Sequence, residues 1–120
     1  MEYVQAVLFR ISAEKIEEAE SPGGLLDQLN GHRDLLRQLR GFEDMRIIRS
    51  INREDEVQLV VESRWGDAES LMEYETQDPN ISSIVNGFKE LIIPGSIQVT
   101  DMEALLPQDR PDPVSDATDR

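Results

Sequence analysis

Residues 3 to 11 read Tyr-Val-Gln-Ala-Val-Leu-Phe-Arg-Ile, a run of β-formers with no polar side. Side chains alternate along a strand, so Tyr3, Gln5, Val7, Phe9 and Ile11 point one way and Val4, Ala6, Leu8 and Arg10 the other. Both faces are mostly apolar. Such a strand needs a cover on each side, and a chain of 120 residues with few helices supplies only one covering layer. A second copy, with its sheet laid face to face against the first, meets the remaining need. The expectation is a homodimer, because exposed apolar patches of that size mark interfaces.

Punctuation residues divide the rest of the chain. Ser12 reads as a helix N-cap with Glu14 and Glu17 near the positive end of the dipole and Ile16 and Ala19 facing inward. Ser21-Pro22-Gly23-Gly24 interrupts that helix, and Ser21 with Pro22 predicts the start of a longer one. In that longer helix Leu25, Leu29, His32, Leu36 and Leu39 form the inward stripe. Gly41 follows a last turn carrying Arg37 and Arg40, which predicts a left-handed C′ glycine with Phe42 folded back on the helix end. Residues 44 to 51 and 56 to 65 predict two antiparallel strands joined by a polar turn at Asn52-Arg53-Glu54-Asp55. A second helical region runs from Asp67 to about Leu91, broken near Asp78-Pro79-Asn80, with Ala68, Leu71, Met72, Ile81, Ile84, Val85, Phe88 and Leu91 inward. Pro94-Gly95 ends it, and a last strand covers Ser96 to Met102. The element order is βαββαβ, a ferredoxin-like α+β fold with a four-stranded antiparallel sheet and helices on one face. One domain is expected over residues 1–105, followed by a flexible Pro- and Asp-rich tail at 106–120.

Charge and composition narrow the partners. Asp and Glu number 25 against 12 Lys and Arg, a net charge of −13, so a phosphate backbone is repelled and nucleic acid is not an expected partner. Cysteine is absent, which removes disulfides and thiolate chemistry and fits a reducing cytoplasm. No stretch approaches the ~20 apolar residues of a membrane span. A cytoplasmic protein without a membrane partner is the expectation. Glu14, Glu17, Glu18 and Glu20 spread around a helix without a histidine, so no metal is expected there. Gly23 and Gly24 lack the spacing of a nucleotide cradle and read as hinge residues.

Few side chains remain as candidates for chemistry. Trp65, the single tryptophan, ends the strand Val57-Gln-Leu-Val-Val-Glu-Ser-Arg-Trp65 and shares a face with Val57, Leu59, Val61 and Ser63. It either walls a pocket for a flat ligand or is a core ring with its indole N–H satisfied locally. His32, the single histidine, lies on the leucine stripe. It is either a base able to deprotonate a phenol or hydroquinone near neutral pH, or a core histidine with both nitrogens bonded. Tyr74 either shapes a pocket mouth or sits at a helix end as any amphipathic side chain does. Arg10, Arg46, Arg49 and Arg64 are candidate anchors for an acid, with cross-strand ion pairs as the default.

The element order, the Gly41-Phe42 junction, the strand ending in Trp65 and the Asp67-Ala68-Glu69-Ser70-Leu71 helix start resemble the antibiotic biosynthesis monooxygenase (ABM) superfamily over residues 3 to 103. The resemblance implies a dimeric α+β barrel with a pocket between helices and sheet in each subunit. It implies cofactor-independent oxygenation of a small aromatic or quinone-like substrate, with His32 as base and Trp65, Phe42 and Tyr74 as pocket walls. Heme-degrading relatives use an asparagine on the first strand, a tryptophan ending the third and a histidine near the end of the following helix. Only Trp65 matches, since Gln5 stands on the first strand and Ser82, Ser83 and Ile84 occupy the helix position, so heme is not expected. The competing expectation is a non-catalytic ligand-binding or dimerisation module whose interior is filled.

Overall fold

The computed structural model describes residues 1–50 and 55–105, so most of the expected hairpin turn and the tail lie outside the described residues. Strands β1 (Glu2–Ser12), β2 (Phe42–Arg49), β3 (Glu56–Trp65) and β4 (Gln98–Ala104) form one antiparallel sheet in the order β2-β3-β1-β4. Helices α1 (Ile16–Glu20), α2 (Leu25–Leu36), α3 (Ala68–Glu75) and α4 (Ile81–Asn86) complete the βαββαβ order, with the second helical region split in two. The architecture is the expected ferredoxin-like α+β one.

Register decides which side chains meet. β1 faces β3 from Tyr3–Trp65 to Ser12–Glu56, so the odd-numbered residues of both strands share one face. That face is the core: Val7, Phe9, Ile11, Leu59, Val61 and Trp65 are buried against Leu25, Leu29, Leu36, Leu71, Ile81 and Val85 of the helices. On the other face Leu8 stands opposite Val60, Val60 opposite Ile48, and Val4 opposite Met102. Apart from Ala6 this second set is half-buried or exposed. Ion pairs lie on the same face, Arg10–Glu56 at 2.7 Å, Arg46–Glu62 at 3.0 Å and Arg64–Glu2 at 2.8 Å. The four arginines are thus engaged with carboxylates, Arg49 pairing with Glu20 at 3.2 Å.

Several boundaries differ from expectation, each for a local reason. α2 starts at Leu25 with Gly24 at its N-cap, not at Ser21-Pro22. Ser21 instead turns back, its hydroxyl donating to Glu18 O at 2.7 Å, while the Asp27 carboxylate accepts from Gly23 N at 2.9 Å. Ser12 makes no side-chain cap and leads into a 3-10 turn at Ala13–Lys15 ahead of α1. β2 begins two residues earlier, at Phe42, with a bulge between Phe42 and Asp44. β4 begins at Gln98, because Ser96 is held in the preceding turn, donating to Ile93 O at 2.7 Å and accepting from Arg10 N at 3.1 Å. Met72 is 62% exposed and not inward, since the buried phase of α3 runs through Leu71 and Tyr74. The break at Asp78-Pro79-Asn80 stands as read, Asn80 and Ser83 forming a capping box at the head of α4.

Gly41 has φ +85°, and a Cβ built there would overlap the Ser70 hydroxyl. Its carbonyl accepts from Gly66 N at 2.8 Å, tying the turn before β2 to the end of β3. Gly41→Ala therefore combines left-handed strain with a steric overlap and is expected to cost at least about 2 kcal/mol. A urea titration with unchanged m-value checks it.

Candidate functional site

Four aromatic rings meet where β3 joins α3. Trp65 is 0% exposed and stacks on Tyr74 with centroids 5.0 Å apart, while Phe42 meets it edge-on at 5.5 Å. The indole N–H donates to Ser63 Oγ at 2.9 Å, so the ring is satisfied two residues back along its own strand. His32 arrives from α2, 6% exposed, with Nε2 2.8 Å from the Tyr74 hydroxyl. The hydroxyl oxygen also accepts from Ile81 N at 2.8 Å. Tyr74 thus has its proton left to give, and the neutral His32 Nε2 is the acceptor in reach. Burial lowers the His32 pKa from its ordinary value and raises that of Tyr74, keeping both neutral in this contact. The four residues singled out in the sequence are brought together, as a packed cluster in which His32 Nε2, the Tyr74 hydroxyl and the indole N–H are paired.

The nearby opening is lined by other side chains. A cavity of about 500 Å³ is bounded by Gln5, Glu75, Asn80, Ser82, Ser83, Asn86 and Val99. None of His32, Trp65, Phe42 and Tyr74 is among its lining residues. Gln5 projects from β1 and donates through Nε2 to Glu75 Oε2 at 2.8 Å, across 70 residues of sequence. Gln5 Oε1 is buried and has no hydrogen-bond partner among the described residues. Glu75 ends α3, one residue beyond Tyr74. Burial and a hydrogen bond with Asp101 raise its carboxyl to about 7, against the opposing contact of Gln5. Asp101 stands opposite Gln5 in the β1–β4 ladder. A second cavity of about 410 Å³, lined by Asn86, Lys89, Ile92, Ile93, Pro94, Gly95 and Ile97, shares Asn86 with the first.

Sequence reasoning put Gln5 on the strand face of Val7, Phe9 and Ile11 without assigning that face to the helices, and missed Glu75 and Asp101. One signal was present, a lone amide on an otherwise apolar strand face. Among the described residues no group of three His, Cys, Asp or Glu is placed to hold a metal ion. Within the same residues no helix is long and apolar enough to cross a membrane.

No protein-family model and no curated protein matches this sequence. Solved structures do match, over nearly their whole length. SnoaB, a cofactor-independent oxygenase from Streptomyces nogalater, aligns with a TM-score of 0.63 at 12% identity, covering 91% of this chain and 98% of that one. A candidate antibiotic biosynthesis monooxygenase from Deinococcus radiodurans aligns at 0.61 and 17% identity, covering 92% and 98%. This chain has the ABM fold. A Mycobacterium tuberculosis protein aligns at 0.64 and 16% identity, covering 91% and 100%. At such identities the ABM likeness fixes the backbone arrangement and leaves the chemistry to the side chains of this chain.

Proposed function

We propose that this chain is a homodimeric ABM-type protein that binds a small aromatic or quinone-like molecule in the helix-side cavity and oxygenates it with dioxygen. The cavity with the unpaired Gln5 oxygen beside Glu75 is the observation that carries this reading. Likeness to SnoaB supports a reaction without metal or flavin. For a hydroquinone the change is balanced by one dioxygen: the ring loses four electrons, gains one oxygen as a hydroxyquinone, and the other oxygen leaves as water. The protein's part is to bind and orient the ring and remove a proton so that the electron-rich anion meets dioxygen.

His32 enters this reading through Tyr74, whose hydroxyl it holds, while Trp65 and Phe42 brace Tyr74 from behind. His32→Gln is then expected to lower turnover less than tenfold, whereas a direct base would lose 10²-fold or more, on the order given for general acid–base groups. An aerobic screen of hydroquinones and polycyclic phenols, followed by oxygen uptake, tests the activity. A specific observation favours a second reading, the filled and internally paired cluster of His32, Trp65 and Tyr74. Binding without oxygen uptake across the panel would place the protein with non-catalytic ligand-binding modules of the same fold.

A further inference from the structure

We infer that Gln5 and Glu75 together recognise a dihydroxy ring, the Gln5 oxygen accepting a hydrogen bond from one hydroxyl and Glu75 accepting the proton of the other. This rests on the function proposed above and names the chemistry of its substrate. While Glu75 is ionised the Gln5 amide is held in this sense, because its N–H is committed to Glu75 Oε2 at 2.8 Å and a carbonyl oxygen there would face a carboxylate. Its oxygen is therefore directed elsewhere, on a side chain 4% exposed, and is left without a donor. Buried acceptors are ordinarily paired, so a missing donor on a residue that lines the cavity marks a place for a ligand group. The remaining lining supplies no cation. Asn80 and Ser83 are occupied with each other in the capping box, and Asn86 donates to Ser82 O at 2.8 Å.

Apart from the Ser82 hydroxyl, the groups left facing the site are acceptors. An anionic ligand would face Glu75 and Asp101, while an ether would leave the Gln5 oxygen unpaired. An uncharged hydroquinone, with two hydroxyls, satisfies both conditions. In the step assigned to Glu75, the ligand O–H bond breaks, its electron pair stays on the phenolic oxygen, and the proton passes to the carboxylate. No oxidant enters until the anion has formed. Asp101 on β4 and Tyr74 on α3 are the titratable groups that interact with Glu75. β1 presents Gln5 and α4 presents Ser82, Ser83 and Asn86, none of which titrates. With the carboxyl raised to about 7, the active carboxylate forms as pH climbs through neutrality, so turnover should rise there and level above it.

Anaerobic calorimetry with naphthohydroquinone, its dimethyl ether and its ring carboxylate tests recognition in the full-length protein. The hydroquinone should bind at least tenfold more tightly than either analogue, and Gln5→Leu should erase that preference. Oxygen uptake tests the proton transfer. Glu75→Gln keeps a partner for Gln5 and should lose about a hundredfold or more in turnover, together with the rise near neutral pH. A carbon-13 titration of the Glu75 carboxyl, which should respond to ligand without turnover, gives a readout independent of rate. Circular dichroism confirms that each variant is folded. Equal affinity for the ether, or Glu75→Gln turning over the hydroquinone with the wild-type pH profile, would overturn the inference and leave the proposed function standing. Failure of the wild type to bind any of the three would overturn both.

Discussion

Trp65→Ala is expected to lower the unfolding free energy by about 3–5 kcal/mol, the usual cost of deleting a fully buried large ring. The indole is 0% exposed, stacked on Tyr74 and capped by the edge of Phe42, so its removal opens a void between strand and helix. The Ser63 hydroxyl would also lose the N–H that it accepts at 2.9 Å. Against a total stability of roughly 5–15 kcal/mol, such a loss leaves the variant near its folding threshold. Trp65→Phe keeps much of the apolar contact and loses the indole donor, for a smaller expected cost of about 1–3 kcal/mol. Urea denaturation followed by circular dichroism orders the three proteins. If alanine cost under about 1 kcal/mol, the ring would not be the keystone of this junction.

Leu8→Arg is expected to leave each subunit folded and to dissociate the proposed dimer. Leu8 lies near the middle of the helix-free sheet face, opposite Val60 on β3, and is half-buried within the single chain. In a monomer the new guanidinium reaches water along its apolar stem. In a face-to-face dimer two such charges, related by symmetry, would be desolvated without partners. A penalty of about 3 kcal/mol or more applies to an unpaired buried charge, which is a hundredfold or greater rise in Kd. Sedimentation velocity at micromolar concentration reads the outcome. A wild type that sediments as a monomer at those concentrations would remove the dimer from the proposal, and with it the explanation of β1's second apolar face.

The central strands were legible because their pattern has few alternatives. The runs of β-formers in β1 and β3 mark strands whichever face is covered, and the structure turns the odd-numbered residues toward the helices. The positive φ of Gly41 was legible, but its place was not: α2 ends at Leu36 with Arg37 as its C-cap, so the glycine serves the turn into β2 and not the helix end. The start of α2 was not legible either. Ser21-Pro22 is a sound N-terminal pattern, yet Ser21 is used by the end of α1, and two competing local solutions are resolved only by the packed chain. Met72 was misplaced because its neighbour Leu71 takes the inward phase of a two-turn helix. The Gln5–Glu75–Asp101 group was hidden for a different reason. With 25 acidic residues in the chain no single carboxylate stands out, and the contact that distinguishes Glu75 spans 70 positions. The aromatic cluster shows the intermediate case: its members were recognisable by type, but only the fold showed that they pair with one another.

The Tyr74 hydroxyl has a mechanical consequence. One oxygen on α3 meets the imidazole of α2 and the first amide of α4. Three separate segments are thereby bolted at a single buried point. The three helices are in this sense one plate, and α4 cannot swing outward alone without first drawing that pin.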